Sequence, residues 1–231
     1  MLYTREAAQA NLRNRHGKRV FYLGPNDRLT PGARDFLQEQ RIEVLSSEEA
    51  VVEEYRLEGG GFLRTKPEHM THLHSDVLVP KTHGRIRFRG AIDTLEAELI
   101  LCQLNVPAPT ASQLQQVLAL ARELVACDVL EKPVPEQPLL GMTEAELRKR
   151  SHRPQDFYGE PHFMPDASHG PVIAHLNRCR CAVRAAELAA AQAFQAEDGT
   201  CRRTDILKAL NRMSSAVYLL MIEEKAKQDV R

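Results

Sequence analysis

Tryptophan is absent from this 231-residue sequence, aromatic residues make up only 5% of it, and its formal net charge is zero. So few aromatic residues, in a chain rich in alanine, leucine, glutamate and arginine, argue against an all-β fold. The balance of 31 basic and 31 acidic side chains excludes a broad basic surface that binds nucleic acid or an anionic membrane. No apolar run approaches the length of a membrane span, so we expect no transmembrane helix.

The first 101 residues contain no cysteine, and the first of the five cysteines is Cys102. Their odd number, with no apolar leader at the N-terminus, favours free thiols in helices over a disulfide framework. Cys179 and Cys181 do not have the spacing of a zinc site, because their side chains diverge on a helix. We therefore expect a cytoplasmic protein without a metal site and without structural zinc or iron.

The neutral total conceals a local excess of basic side chains. Residues 56–90 contain seven lysines and arginines against three acids, a net charge of +4, and four of the nine histidines. This pattern predicts either a solvated basic loop or a binding site for an anion. An acidic stretch between residues 48 and 58 precedes Gly59–Gly61, which is the clearest hinge signal in the chain.

Two domains are predicted on either side of this hinge. Residues 1–58 are expected to form a small α/β appendage with two strands and one helix. Residues 62–231 are expected to form an all-α, up-down bundle of about five helices, because apolar residues recur at steps of three and four. Within that domain, residues 62–90 are predicted to be an ordered loop with at most a strand fragment, and residues 151–170 a polar loop. The predicted helices cover residues 91–105, 111–130, 143–150, a long segment that begins near Pro171, and 204–227.

Polar side chains lie beside the apolar seams of the last two predicted helices. Arg180, Arg184 and Glu187 share one face of the first, and Asn211, Ser215 and Tyr218 share one face of the second. One interpretation is a solvated face or a subunit rim. The other is an interface site in which guanidinium groups bind phosphate oxygens.

Five segments of the sequence follow one another in the order found in a known family. They are Thr65-Lys66 with Thr71-His72, the run from Lys81 through Asp93 to Leu95, Phe163-Met164-Pro165, Arg180-x-x-x-Arg184-x-x-Glu187, and Leu210-Asn211-Arg212-Met213-Ser214-Ser215. Together these segments resemble the ATP:corrinoid adenosyltransferases. The runs Leu29–Arg34 and Ala167–Gly170 resemble the ethanolamine-utilisation type in particular, which is related to the propanediol-utilisation type.

Four departures from the family pattern accompany this resemblance, and one of them is that Asp93-Thr94-Leu95-Glu96 stands where the family has Asp-Glu-Leu-Asn. Many members carry a His-and-Cys metal cluster before the Thr-His-Leu segment, whereas here no cysteine precedes Cys102. Pro67–Met70 replaces a phosphate loop rich in glycine and aspartate, so side chains such as Thr71 and His72 must replace its backbone amides. Ala185 stands where the family has the second arginine of an Arg-Arg pair.

The resemblance implies a transferase that moves the 5′-deoxyadenosyl group of ATP to Co(I) of a corrinoid. The products are adenosylcobalamin and triphosphate, and Mg²⁺ accompanies ATP. The residues implied to be catalytic are Arg180, Arg184 and Asp93, with Asp93 paired with Arg180 across a subunit boundary. Those implied to bind ATP are Thr65, Lys66, Thr71, His72, Lys81, Arg180, Arg184, Glu187 and Asn211.

The resemblance also implies a corrinoid pocket around Phe163, with His162 and His169. Phe163 is the candidate wedge that removes the lower nucleotide ligand of the corrinoid, since four-coordinate Co(II) is easier to reduce. Simple anchoring of the loop is the alternative role for Phe163.

A homotrimer with active sites between subunits, and a cob(II)alamin reductase or a source of reduced flavin, are further implications of the resemblance. Association with a bacterial microcompartment is an additional expectation for this type. Two non-enzymatic alternatives remain at this point: an adenosylcobalamin carrier or chaperone on the same fold, and a microcompartment interaction protein that acts through its N-terminal residues.

Overall fold

A computed structural model of the chain describes residues 1–15, 18–46 and 55–229. The chain is predominantly helical, with 57% of its residues in helices. The structure divides into two compact units, Met1–Ile86 with Asp128–Glu131, and Arg87–Cys127 with Lys132–Arg231. Most of the predicted acidic stretch between residues 48 and 58 lies outside the described residues.

The N-terminal part of the first unit combines short strands with two helices. The central strand β3 pairs with β2 in the antiparallel sense and with β5 in the parallel sense, while β1 pairs with β4. Thr30 caps α2, and buried Phe21 and Leu37 belong to a small core of their own. The elements are β1 (Leu2–Tyr3), α1 (Arg5–Ala10), β2 (Arg13–Arg15), β3 (Lys18–Leu23), β4 (Arg28–Leu29), α2 (Pro31–Glu39) and β5 (Glu43–Ser46).

The rest of the first unit contains a four-stranded sheet, where the sequence predicted a loop. The strands are β6 (Tyr55–Leu57), β7 (Phe62–Leu63), β8 (Met70–His74) and β9 (Val77–Pro80), in the order β7-β6-β9-β8. The loop prediction for residues 62–90 is wrong here because buried Leu73, Val77 and Val79 form a small core that gives these short strands an inner face. Two buried residues in β8 and three in β9 were too few to produce a visible period.

The second unit is built on long helices. Those that hold its core are α3 (Gly84–Gln103), whose first turn belongs to the first unit, α4 (Ala108–Val129), α7 (Gly170–Phe194) and α8 (Thr204–Asp229). The predicted seams are confirmed, since Leu176, Val183, Leu210 and Val217 are all fully buried along the packed pair α7 and α8. No helix in the described part of the chain is long and apolar enough to cross a membrane.

The segment predicted as a polar loop between residues 151 and 170 contains two further helical pieces. After α5 (Glu144–His152), the chain forms α6 (Pro154–Tyr158), and a turn of 3₁₀ helix follows at Ala167–His169. Pro154 occupies the first helical position of α6, and Gly159 ends it in the left-handed conformation at φ 71°. Five residues are too few to show a helical period, which is why the pattern did not predict α6.

Candidate functional site

A cavity of about 350 Å³ opens in the second unit where α5, α7, α8 and the loop after α6 meet. It collects polar side chains from segments that are far apart in the sequence. Four of the predicted site residues line it, which are His162, Arg180, Arg184 and Asn211. Its other lining residues are Ser151, His152, Ser214, Ser215 and Tyr218.

Two arginines one turn apart on α7 supply the positive charge of this cavity. The Nε and Nη2 atoms of Arg180 both donate to Oδ1 of Asn177, at 3.2 and 3.1 Å, which fixes the half-buried guanidinium. Arg184 is exposed, and neither arginine has an acidic partner among the residues that the structure describes. Arg178 on the same helix differs, because it pairs with Glu98 at 2.6 Å and does not line the cavity. The cavity therefore holds two guanidinium groups that can bind an anion.

The amide of Asn211 is oriented by charged neighbours on both sides. Its Nδ2 atom donates to Oε1 of Glu187 at 3.3 Å, and its Oδ1 atom accepts a hydrogen bond from Nη2 of Arg212. Because a guanidinium only donates and a carboxylate only accepts, this arrangement assigns which side of the amide carries oxygen. Glu187 does not line the cavity itself, but it orients Asn211, which does.

Two aromatic side chains of the cavity lining, His162 and Tyr218, stack on each other. The hydroxyl of Tyr218 lies 3.0 Å from Nδ1 of His162, and the two rings stack with centroids 5.7 Å apart. Nε2 of His162 lies 3.3 Å from the carbonyl oxygen of His152. Burial raises the pKa of Tyr218, while the backbone of Phe163 and the charge of Arg180 act in the opposite direction with smaller effect.

Phe163 and His169 lie next to these rings rather than in the cavity lining. The Phe163 ring is 4.9 Å from the His169 ring and 6.4 Å from the Tyr218 ring, and Nζ of Lys225 lies 5.9 Å from its centroid. Nδ1 of His169 lies 3.1 Å from the Asp166 carboxylate at the turn before α7. These contacts are compatible with both roles predicted for Phe163, the wedge and the anchor.

Five predicted ATP-binding residues belong to the first unit. Thr65 and Lys66 are exposed, and Thr71 and His72 are half-buried on β8. Lys81 is exposed and pairs with Glu68 at 3.1 Å. Their role stays a prediction.

Acidic side chains neutralise part of the basic segment 56–90. Nε of Arg85 lies 2.8 Å from the fully buried carboxylate of Asp128, and its Nη1 atom lies 3.2 Å from Glu131. Arg56 lies 3.8 Å from buried Asp76. The net charge of +4 therefore overstates what the segment offers to an anion.

Asp93 lies on α3 and is exposed. No hydrogen bond or ion pair joins it to Arg180 within the described residues of one chain, so the predicted pairing between subunits stays a prediction. Across the same residues, no group of three or more histidine, cysteine, aspartate or glutamate side chains could hold a metal ion.

Five residues of the lining were not among the predicted site residues. Ser214, Ser215 and Tyr218 follow Asn211 at helical spacing on α8, so the period of that helix carried a signal for them. Ser151 and His152 sit at the end of α5, where only the tertiary fold brings them to the cavity.

Comparison with known proteins finds a matching family model and similar curated proteins. A family model described as cobalamin adenosyltransferase matches residues 62–224. The chain is 37% identical over 162 residues to the corrinoid adenosyltransferase EutT of Salmonella typhimurium strain LT2, and the match covers 70% of this chain and 61% of that protein. It is 35% identical over 163 residues to EutT of Escherichia coli strain K12, covering 71% and 61%. The chain thus spans about three fifths of the length of these relatives.

Proposed function

The chain belongs to the cobalamin adenosyltransferase family, and from that premise we propose that it transfers the 5′-deoxyadenosyl group of ATP to a corrinoid. In this reaction the electron pair of Co(I) attacks the 5′-carbon of ATP. The Co–C bond forms, the C–O bond to the triphosphate breaks, and triphosphate leaves with the bonding electrons. The products are adenosylcobalamin and inorganic triphosphate.

One observation carries this proposal, which is the cavity that unites the two arginines of α7 with Asn211 of α8 and His162 of the loop after α6. Arg180 and Arg184 come from one segment that resembles the family, Asn211 comes from a second, and His162 adjoins a third that begins at Phe163. Their convergence in one cavity within residues 62–224, the range that the family model matches, supports a shared site.

Arg180 and Arg184 would stabilise the leaving group. Triphosphate gains negative charge as the C–O bond breaks, and fixed donors aimed at that charge lower the barrier without having to reorganise. Asn177 fixes the Arg180 guanidinium through two hydrogen bonds, so part of the ordering cost is already met before ATP binds. Asn211, oriented by Glu187 and Arg212, would position the nucleotide.

We further propose that Thr65, Lys66, Thr71, His72 and Lys81 contribute to ATP binding, as the resemblance implies. ATP would enter as its Mg²⁺ complex. The cavity lining offers hydroxyl, imidazole, amide and guanidinium groups but no carboxylate, and such a set does not fit an all-protein Mg²⁺ site. The ion would accompany the phosphates as part of the substrate.

The corrinoid would bind beside Phe163, with His162 and His169 in contact with it. Phe163 would act as the wedge that displaces the lower ligand of the cobalt. Its contacts with His169, Tyr218 and Lys225 support a ring held in one place, because a loosely held ring could not displace a ligand.

We propose a homotrimer of up-down helical bundles, with Asp93 reaching Arg180 of a neighbouring subunit and residues 1–58 as an appendage. Exposed apolar side chains support such an assembly, since Ile100 on α3, Leu104 in the turn after it and Leu188 on α7 are 43%, 79% and 67% exposed. The hydrogen bond of Cys179 to the carbonyl oxygen of Glu98 shows that the two helices are neighbours. The electron source would be a cob(II)alamin reductase or reduced flavin. The protein would serve ethanolamine utilisation in the cytoplasm, in association with a bacterial microcompartment.

An anaerobic assay with ATP and chemically reduced cobalamin tests the activity. We expect the absorption spectrum of the alkylated product, with one triphosphate released per product. Binding of ATP and cobalamin without product would instead favour a carrier or chaperone. If neither ligand binds, the activity is refuted and an interaction protein is favoured.

Arg180→Ala and Arg178→Ala form a matched pair for this assay. Both remove a guanidinium from α7, but only Arg180 lines the cavity, while Arg178 is 60% exposed and paired with Glu98. Loss of one donor to the developing charge predicts a fall in turnover of about 10²-fold for Arg180→Ala. Near-normal turnover, or an equal loss in both variants, would remove Arg180 from the site.

A further inference from the structure

We propose that Tyr218 is a positioning residue for the corrinoid, because its hydroxyl and ring hold the His162–Phe163 segment in place. This inference rests on the proposed function. The family resemblance assigned roles to His162 and Phe163 but none to Tyr218.

Tyr218 contacts both residues of this segment through different parts of its side chain. Its hydroxyl lies 3.0 Å from Nδ1 of His162, and its ring stacks on the His162 ring with an interplanar angle of 13°. The same ring lies 6.4 Å from the Phe163 ring at 26°. Since Tyr218 is in the middle of the long helix α8, the segment is held against a rigid element rather than against another loop.

The second nitrogen of His162 completes the attachment. Nε2 lies 3.3 Å from the carbonyl oxygen of His152, so the imidazole bridges Tyr218 and the end of α5. A neutral imidazole has one donor and one acceptor nitrogen. If Nε2 donates to this carbonyl, Nδ1 accepts the proton of the Tyr218 hydroxyl, and one tautomer satisfies both contacts.

Tyr218 also borders the cavity that contains Arg180 and Arg184. A single side chain therefore contacts the segment proposed for the corrinoid and the cavity proposed for the nucleotide. Because this segment is the proposed contact for the corrinoid, a small displacement of it would weaken corrinoid binding and disturb the alignment of the cobalt with the 5′-carbon.

Tyr218→Phe tests this role, since it keeps the ring and removes only the hydroxyl. The matched control is Tyr158→Phe in the same unit, because the Tyr158 hydroxyl is buried and has no hydrogen-bond partner among the described residues. The first measurement is amide hydrogen exchange of residues 160–164, which needs no substrate. We expect faster exchange there in Tyr218→Phe and no change in Tyr158→Phe.

The second measurement is steady-state kinetics with ATP and cobalamin. Loss of one hydrogen bond predicts an increase of about fivefold in the KM for the corrinoid in Tyr218→Phe, with the KM for ATP unchanged. The spectrum of cob(II)alamin bound with ATP should also show less of the four-coordinate form than in Tyr158→Phe.

Each result separates this inference from the proposed function. Exchange that stays the same in Tyr218→Phe overturns the attachment, whether or not the protein is active. Faster exchange with an unchanged KM for the corrinoid and an unchanged cob(II)alamin spectrum overturns the positioning role. A wild-type protein that forms no adenosylcobalamin refutes the proposed function and with it the positioning role, while exchange still decides the attachment.

Discussion

Replacement of Arg85 by alanine should destabilise the first unit far more than loss of a surface charge does. Arg85 binds a carboxylate that is fully buried, since the side chain of Asp128 is 0% exposed and that of Arg85 only 16%. Two donors are lost to Asp128, one to Oδ1 at 2.8 Å and one to the backbone oxygen at 2.7 Å. Removing one partner of a buried ion pair costs about 3–5 kcal/mol, because the remaining charge stays desolvated.

The control is Arg5→Ala in the same unit. Arg5 pairs with Glu39 at 3.7 Å, and both side chains are more than half exposed, at 55% and 60%. Pairs of this kind contribute about 0.2–1 kcal/mol. Arg5 also lies over the Phe36 ring at 5.6 Å, a contact that contributes about 0.5–1 kcal/mol at exposed sites, so Arg5→Ala should still lose less stability than Arg85→Ala.

Amide hydrogen exchange in β8 and β9 is the suitable assay. Both strands belong to the same compact unit as Arg85 and Asp128, and exchange reports the free energy of opening of that unit alone. Tryptophan fluorescence cannot serve, because the chain has no tryptophan. A double variant, Arg85→Met with Asp128→Leu, should be more stable than Arg85→Ala, since no buried charge is left behind. A loss in Arg85→Ala no larger than in Arg5→Ala, or a double variant that is less stable than Arg85→Ala, would refute the reasoning.

Two other predictions concern Phe163, in the loop after α6, and the stability of the second unit in acid. Phe163→Ala should lower turnover from cob(II)alamin more than turnover from chemically reduced cob(I)alamin. Equal losses would argue for an anchor rather than a wedge. The control is Phe157→Ala, which removes an exposed ring. The hydrogen bond from Arg203 lowers the pKa of Asp205 from its ordinary value of 3.8 to about 2. A lowered folded-state pKa contributes stability above pH 4 that is lost as the pH falls towards 2. Acid unfolding of Asp205→Asn should therefore lack this part of the pH dependence, and identical acid transitions would contradict it.

The helical part of the fold could be predicted because its signal is repeated many times. Leu176, Val183, Leu210 and Val217 lie on seams of six or more turns, and each turn supplies another apolar residue at the expected step. The strands Met70–His74 and Val77–Pro80 have only two and three buried residues, so their period was not visible. Their stability comes from pairing with each other, which is a property of the fold and not of either segment.

The candidate site likewise has a part that the sequence predicts and a part that it does not. Arg180 and Arg184 could be assigned because their spacing places them on one helix face, and that face does line the cavity. Arg85 was counted with the basic segment, and nothing in its neighbourhood in the sequence indicated Asp128, 43 positions away. The contact between His162 and Tyr218 spans 56 positions and was likewise beyond sequence reasoning. Contacts of this range depend on how helices pack.

The two charged neighbours of Asn211 limit what its amide can still recognise. Arg212 uses one lone pair of the oxygen, and Glu187 uses one hydrogen of the nitrogen. One lone pair of the oxygen and one hydrogen of the nitrogen remain for other partners. Adenine offers a matching amino donor and ring-nitrogen acceptor on one edge, whereas guanine offers two acceptors there. Under the proposed function, in which Asn211 positions the nucleotide, the orientation of this amide would favour adenine over guanine.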